Sequence, residues 1–276
     1  MKGIIALDID GTITKSSHDL HPKVVELFNE LIEKEYYLMF ITGRTFAFAE
    51  PTFRNLKGTY YMGVQNGAAL YEMPSGKELS RHYLPHTVLP KLEDFFGAIK
   101  RPLLIESGKE EKDTCYYRPS DFSQEEMEYV NYRIKLSRAQ WKPVDNFAKL
   151  HLKEFPVAKY FAEKEVAYGI AQELHDELGL NVVVIKDAFK PGSFLAHINR
   201  GDASKGRALR EFHDRLGKKL PIIAAGDDYN DMAMLMESDI KIVMGDAPDD
   251  LKKIADVVAK PADEQGIVEA IRGRIS

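Results

Sequence analysis

The sequence is poor in cysteine, and this bounds where the protein can work. Cys115 is the one cysteine among 276 residues, so no disulfide can form within the chain. A protein without disulfides fits a reducing compartment, and we expect a cytoplasmic location. Cys115 has no Cys-His signature around it, so we predict a packing or surface role rather than a nucleophile.

Long apolar runs and an excess of positive charge are also missing. No apolar run approaches the roughly 18–20 residues of a membrane span, and the N-terminus lacks a signal-peptide pattern. The net charge is -5 and the pI is about 6.0. We therefore expect neither a nucleic-acid nor a membrane partner, and the sequence carries no signal for an oligomeric state.

Short apolar runs alternate with amphipathic stretches in both terminal parts of the chain. A helix is predicted over residues 22–35, where apolar residues form one stripe. Strands are predicted at residues 3–7, 36–42, 60–67, 195–199, 221–225 and 241–245. Buried strands that alternate with helices indicate an α/β fold, a parallel sheet with helices on both faces.

The middle of the chain has a different pattern. From about residue 85 to residue 194, helix-like and strand-like stretches are mixed, and FAKLHLK at residues 147–153 is one of the predicted strands. We interpret this part as an inserted α+β domain. The predicted core then comprises residues 1–84 and 195–276, and the insertion comprises residues 85–194.

Polar residues follow the predicted core strands directly. In parallel α/β sheets, ligands bind beyond the carboxyl ends of the strands. We therefore expect one edge of the sheet to collect the residues Asp8, Asp10, Thr42, Asn66, Asp227 and Asp228.

The density of carboxylates at this edge predicts a metal. Asp8 and Asp10 lie two residues apart, and the segment GDDYND follows the strand PIIAA. Such carboxylates repel each other unless a hard cation lies among them, and oxygen ligands with room for water suit Mg²⁺. No His or Cys cluster competes for a softer metal.

The neighbouring polar groups fit a phosphate. Thr42 offers a hydroxyl, Gly43 an accessible backbone N–H, and Lys205 a positive charge at a helix start. The chain lacks the Gly-x-x-x-x-Gly-Lys-Ser/Thr loop of nucleotide-binding proteins. A carboxylate can attack phosphorus itself, so we predict Asp8 as the nucleophile and Asp10 as the acid and base.

Four segments resemble the motifs of the haloacid dehalogenase-like (HAD) phosphatases, and they occur in that family's order. They are DIDGT at residues 8–12, ITGR at 41–44, SKG at 204–206 and GDDYND at 226–231. The Asn-Gly-Ala at residues 66–68 and the insertion resemble the Cof-type subfamily. The resemblance implies a Rossmann-like core with an α/β cap, and Mg²⁺-dependent hydrolysis of a small phosphorylated metabolite, with a sugar phosphate as the favoured substrate.

The resemblance also implies roles for individual residues. Asp8 matches the nucleophile and Asp10 the acid/base, while Thr42 and Lys205 match phosphate binders. The implied metal shell consists of Asp8, Asp227 and the backbone carbonyl of Asp10, supported by Asp231. Asn230 matches a position near the phosphate or metal, and Arg44 and Asn66 match substrate contacts.

Other interpretations of these segments stay open. Thr42-Gly43 alone is typical of a plain strand-to-helix turn, and Lys205 alone of a solvated lysine at a helix start. The same site also suits a phosphotransferase or phosphomutase that passes the phosphoryl group to a sugar. A further alternative function is a non-catalytic sensor that binds a phosphorylated metabolite. The sequence does not identify the metabolite or the insertion residues that would contact it.

Overall fold

The computed structural model describes residues 1–15, 18–137, 139–187 and 189–275. The first part of the chain forms β1 (Ile4–Leu7), α1 (Pro22–Glu33), β2 (Tyr37–Ile41), α2 (Phe46–Ala49), β3 (Tyr60–Val64), β4 (Ala69–Met73) and β5 (Lys77–Arg81). The middle part forms β6 (Leu84–Pro85), α3 (Leu89–Ala98), β7 (Leu104–Glu106), β8 (Cys115–Tyr117), α4 (Gln124–Leu136), β9 (Trp141–Pro143), β10 (Glu154–Phe155), β11 (Val157–Ala162), α5 (Lys164–Leu178), β12 (Asn181–Lys186) and β13 (Phe194–Asn199). The last part forms α6 (Lys205–Arg215), β14 (Ile222–Gly226), α7 (Met232–Met236), β15 (Ile240–Met244), α8 (Asp249–Lys252), β16 (Val257–Ala259) and α9 (Gly266–Arg272).

The chain divides into two units by its internal contacts. The first unit consists of Met1–Arg44, Ala49–Arg81 and Ser204–Ser276. The second unit consists of Thr45–Phe48 and His82–Ala203. The second unit is therefore inserted in the sequence of the first.

The first unit is built on an eight-stranded sheet with the order β16-β15-β14-β1-β2-β3-β4-β5. The strands from β16 to β3 run parallel, whereas the pairs β3–β4 and β4–β5 are antiparallel. Helices cover both faces of this sheet. Alternate residues of β2 point to opposite faces, so each of two neighbouring residues contacts a different set of helices. The ring of Phe40 meets Phe28 of α1 at 5.1 Å, whereas Met39 packs in the cluster that contains residues of α6 and α7. The α/β fold with a parallel sheet is thus confirmed.

The second unit contains a six-stranded sheet with the order β12-β13-β11-β7-β8-β9. Its strands are antiparallel except for the pair β8–β9. Residues of α3 and α5 share an apolar cluster with one set of strand residues, including Ile105 and Tyr160. A second cluster joins Val130 of α4 to Leu104 and the buried Cys115. The predicted mixture of helices and strands is therefore present here.

One strand prediction from the sequence was wrong, and one predicted strand lies in another sheet than expected. Residues 147–149 form a 3-10 turn rather than a strand, and the strands that follow are β10 and β11. We did not predict β11 because Lys159 interrupts its apolar run, but this lysine is buried and paired with Glu106. Residues 195–199 form a strand as predicted, but this strand lies in β13 and pairs with β11 and β12 rather than with the first sheet.

None of the helices in the described ranges is long and apolar enough to cross a membrane.

Candidate active site

Three neighbouring parallel strands bring the predicted site residues to one edge of the first sheet. In the register of these strands, Leu7 of β1 lies beside Ala225 of β14 and Phe40 of β2. The residues that follow are therefore close in space: Asp8 after β1, Thr42 after β2 and Asp227 after β14. Segments more than two hundred residues apart in sequence meet because the strand order places β1 in the middle.

Lys205 enters the same site from the start of α6. The helix begins at this residue because Ser204 is its N-cap, with the Ser204 hydroxyl accepting a hydrogen bond from Arg207 N–H at 3.1 Å. The Nζ atom of Lys205 donates to Oδ1 of Asp8 and, at 2.7 Å, to Oδ1 of Asp231. All three side chains are buried. A single ammonium group thus joins the segment after β1 to the segment after β14.

Asp231 organises the turn that carries Asp227. Its Oδ2 atom accepts hydrogen bonds from the backbone N–H groups of Asp227 at 2.9 Å and Asp228 at 3.1 Å. Its Oδ1 atom accepts the bond from Lys205. Both carboxylate oxygens therefore have donors within the first unit, which suits the supporting role that the resemblance implies.

Asp227 is held against the segment after β1. The hydroxyl of Thr12 donates to Oδ1 of Asp227 at 2.9 Å. Gly11 has a φ of +88°, and a Cβ atom at this position would collide with the carboxylate of Asp227. The close approach of the two segments thus depends on a residue without a side chain.

Three carboxylates in this site form a group that could hold a metal ion. One oxygen each from Asp8, Asp227 and Asp231 lies within 4.8 Å of the others. Burial raises the pKa of Asp8 and of Asp227, and the nearby carboxylate of Asp231 raises both further, whereas the ammonium group of Lys205 lowers both. Burial lowers the pKa of Lys205, but Asp231 and Asp8 more than offset this and hold the ammonium charged. One lysine leaves an excess of negative charge, which a divalent cation with oxygen ligands would neutralise.

Asp10 lies in a different environment from Asp8. Its side chain is 59% exposed, and both of its carboxylate oxygens accept hydrogen bonds from Arg44, whose side chain is only 4% exposed. The carboxylate of Asp10 is not part of the group of three. Its predicted metal contact is through the backbone carbonyl, and this contact stays a prediction.

The remaining predicted residues surround the loop after β2. Thr42 is buried, its hydroxyl accepts the backbone N–H of Arg44 at 3.1 Å, and its carbonyl accepts the N–H of Asn66 at 2.8 Å. Gly43 is half-buried between Thr42 and Arg44. Asn230 is half-buried in the 3-10 turn Tyr229–Asp231. Their roles toward a substrate stay predictions.

Sequence reasoning missed two residues that shape this site. Thr12 was present in the DIDGT segment, but its bond to Asp227 depends on the register between β1 and β14. Nothing in the sequence marks Thr52 as a site residue. In the structure its hydroxyl accepts a hydrogen bond from Nη1 of Arg44 at 3.0 Å. A threonine in a 3-10 turn has many possible partners, and only the folded chain shows which one it has.

An α/β core with clustered carboxylates at the ends of parallel strands is typical of enzymes that bind a metal and a phosphate. Comparison with known proteins gives the family: residues 5–271 match the haloacid dehalogenase-like hydrolases, and the chain belongs to this family. The resemblance found in the sequence, including its Cof-type assignment, is confirmed.

Individual relatives agree with this assignment over nearly the whole chain. The chain is 26% identical to the pyridoxal phosphate phosphatase YbhA of Escherichia coli, covering 92% of each chain. It is 24% identical to a phosphoglycolate phosphatase of Methanobrevibacter smithii, covering 97% of this chain and 96% of the relative. A haloacid dehalogenase-like hydrolase from B. subtilis has the same fold, with a TM-score of 0.80, 20% identity and full coverage of both chains. The protein is therefore a phosphatase with a Rossmann-like core.

Proposed function

We propose that this phosphatase is a Mg²⁺-dependent phosphomonoester hydrolase that acts on a small phosphorylated metabolite through an aspartyl-phosphate intermediate. The observation that carries the proposal is the group of the buried Asp8 and Asp231 with the half-buried Asp227, against a single Lys205. Mg²⁺ would be held by Asp8 and Asp227 and would neutralise charge on the phosphoryl oxygens. The support from Asp231 would keep Asp227 in place.

In the first chemical step, a carboxylate oxygen of Asp8 attacks phosphorus and the bond to the leaving oxygen breaks. Asp10 gives its proton to that oxygen, so an alcohol leaves. Lys205 and Thr42 hold phosphoryl oxygens, and Lys205 also fixes the orientation of Asp8. In the second step, Asp10 takes a proton from water, the water oxygen attacks phosphorus, and the bond to Asp8 breaks. Inorganic phosphate leaves, and Asp10 has regained its proton.

The substrate class is supported by the names of the relatives. Pyridoxal phosphate and phosphoglycolate, the compounds named for two of them, are both small phosphomonoesters. We retain a sugar phosphate as the favoured substrate because the motifs resemble those of the HAD phosphatases, whose members often act on sugar phosphates. We also retain the second unit as the cap that would recognise the leaving group, and a cytoplasmic location. A screen of sugar phosphates, pyridoxal phosphate and phosphoglycolate, compared by kcat/KM, tests the substrate class.

Asp8→Asn tests the nucleophile. We expect a loss of turnover of at least about 10³-fold with retained folding, because the amide cannot form the phosphoenzyme. The measurement is phosphate release from p-nitrophenyl phosphate, with trapping of a hydroxylamine-labile phosphoenzyme in the wild type. Asp256→Asn is the matched control, since Asp256 is exposed and lies outside the site. Full activity of Asp8→Asn would refute the proposal.

Two further measurements separate the alternatives. EDTA should stop phosphate release and added Mg²⁺ should restore it, whereas metal-independent turnover would contradict the proposed cofactor. Release of inorganic phosphate distinguishes a hydrolase from a phosphomutase, which would return an isomerised sugar phosphate.

A further inference from the structure

Arg44 makes a bidentate contact with Asp10. Nε of Arg44 donates to Oδ2 of Asp10 at 2.8 Å, and Nη2 donates to Oδ1 at 2.6 Å. This parallel pair of bonds fixes the direction of a carboxylate as well as its position. The orientation of Asp10 matters because a proton must reach one particular oxygen of the substrate.

Arg44 is itself held from three sides. Its Nη1 atom donates to the hydroxyl of Thr52 at 3.0 Å, and its backbone N–H donates to the hydroxyl of Thr42 at 3.1 Å. Its carbonyl accepts the N–H of Gln65 at 2.8 Å. Arg44 and Thr52 are buried, whereas the side chain of Asp10 is mostly exposed. The anchored guanidinium therefore constrains the exposed carboxylate, and not the reverse.

We propose that Arg44 is a positioning residue for Asp10, and that Thr52 holds the guanidinium in the orientation this requires. The inference rests on the proposed function, in which Asp10 transfers protons. When Asp10 carries its proton on one oxygen, the other oxygen still accepts a bond from Arg44, so the carboxyl keeps its direction through both steps. The family resemblance implies a different role for Arg44, a direct contact with substrate, and the two roles give different kinetics.

The experiment uses two aryl phosphates of similar shape. Phenolate is a poor leaving group, with a phenol pKa of about 10, and it benefits from a proton; p-nitrophenolate leaves readily without one. The ratio kcat/KM reports the steps up to formation of the phosphoenzyme, in which Asp10 acts as the acid. A variant that misplaces Asp10 should therefore lose more kcat/KM with phenyl phosphate than with p-nitrophenyl phosphate.

For Arg44→Gln we expect kcat/KM with phenyl phosphate to fall about 10²-fold. With p-nitrophenyl phosphate we expect kcat/KM to fall about tenfold or less. Arg44→Lys keeps the charge but cannot bind both oxygens, so it should rescue only part of the loss. Thr52→Val should show the same selectivity at a smaller size, about 3–10-fold, while Thr52→Ser keeps the hydroxyl and should behave as wild type.

Arg210→Gln is the matched control. Arg210 makes the same kind of bidentate contact with Glu237, but on an exposed surface, so both substrates should be unaffected. Equal losses with both substrates and a raised KM in Arg44→Gln would overturn the proposal in favour of a substrate contact. Wild-type kinetics in Arg44→Gln and Thr52→Val would overturn it as well. Failure of the proposed function itself would show differently, as an active Asp8→Asn.

Discussion

Each unit of the molecule buries one lysine against carboxylates, but the balance of charge differs. In the first unit, Lys205 contacts Asp8 and Asp231, and Asp227 lies beside them. In the second unit, Lys159 contacts Glu106 at 2.6 Å as a simple pair. Within the described ranges, only the first cluster brings three ligand atoms within 4.8 Å of one another.

The difference shows what distinguishes a structural ion pair from a site built for a ligand. A buried pair of opposite charges has no net charge, so it requires no further ion. A cluster with more negative than positive charge is destabilised by repulsion among its carboxylates, and a bound cation would relieve that repulsion. Three predictions follow from the largest expected effect to the smallest: the first and third test this contrast, and the second tests a further buried carboxylate of the second unit.

Removing either lysine should lower the unfolding free energy, but a second substitution should restore it in only one of the two units. Lys205→Met and Lys159→Met should each lower the unfolding free energy by about 3–5 kcal/mol, since a buried carboxylate loses its partner. Adding Glu106→Gln to Lys159→Met should recover most of the loss, because no charge then remains at that pair. Adding Asp231→Asn to Lys205→Met should recover little. Urea unfolding checks this, and equal recovery in both units would remove the contrast.

Asp113 in the second unit should make stability depend on pH. Burial raises the pKa of Asp113 to about 6, although its carboxylate accepts a hydrogen bond from Ala47 N–H at 2.6 Å. Because the folded-state pKa exceeds the ordinary value of 3.8, stability should fall as pH rises from about 4 to about 6. Asp113→Asn keeps an acceptor without the charge, and should remove up to about 3 kcal/mol of this loss.

The measurement for Asp113→Asn is the difference in unfolding free energy from wild type at pH 4, 5, 6 and 7, because the difference cancels the titration of other groups. A difference that stays constant across this range would contradict the prediction.

Asp227→Asn should separate stability from metal binding in the first cluster. In EDTA at pH 7 the variant should be more stable than wild type by about 1–2 kcal/mol, because it removes one repelling carboxylate. Mg²⁺ should raise the Tm of wild type but hardly that of Asp227→Asn. Calorimetry with and without Mg²⁺ checks this, with Asp256→Asn as the control. Destabilisation of Asp227→Asn in EDTA would show that the cluster is satisfied without a cation.

The first sheet could be predicted from the sequence because its central strands, β1, β2 and β14, are buried on both faces. Such strands appear as continuous apolar runs, and the polar residues at their ends stand out, as Asp8 and Asp227 do. The second sheet was harder to predict. Lys159 in β11 looks exposed until its partner Glu106, more than fifty residues earlier, is known. Likewise β13 continues the apolar pattern of the core, and its pairing with β11 and β12 is not visible locally.

Within the site, residue types could be predicted but contacts could not. The motif positions indicated which groups belong together. The bonds of Thr12 to Asp227 and of Arg44 to Asp10 depend on how separate strand ends are aligned, and a single sequence does not contain that alignment.

The tight passage at Gly11 has a consequence for how the gene can vary. Every missense change of that codon introduces a Cβ atom, and this atom would overlap with the carboxylate of Asp227. Codon 11 should therefore tolerate no replacement in a saturation library selected for activity, although it encodes neither an acid nor a base.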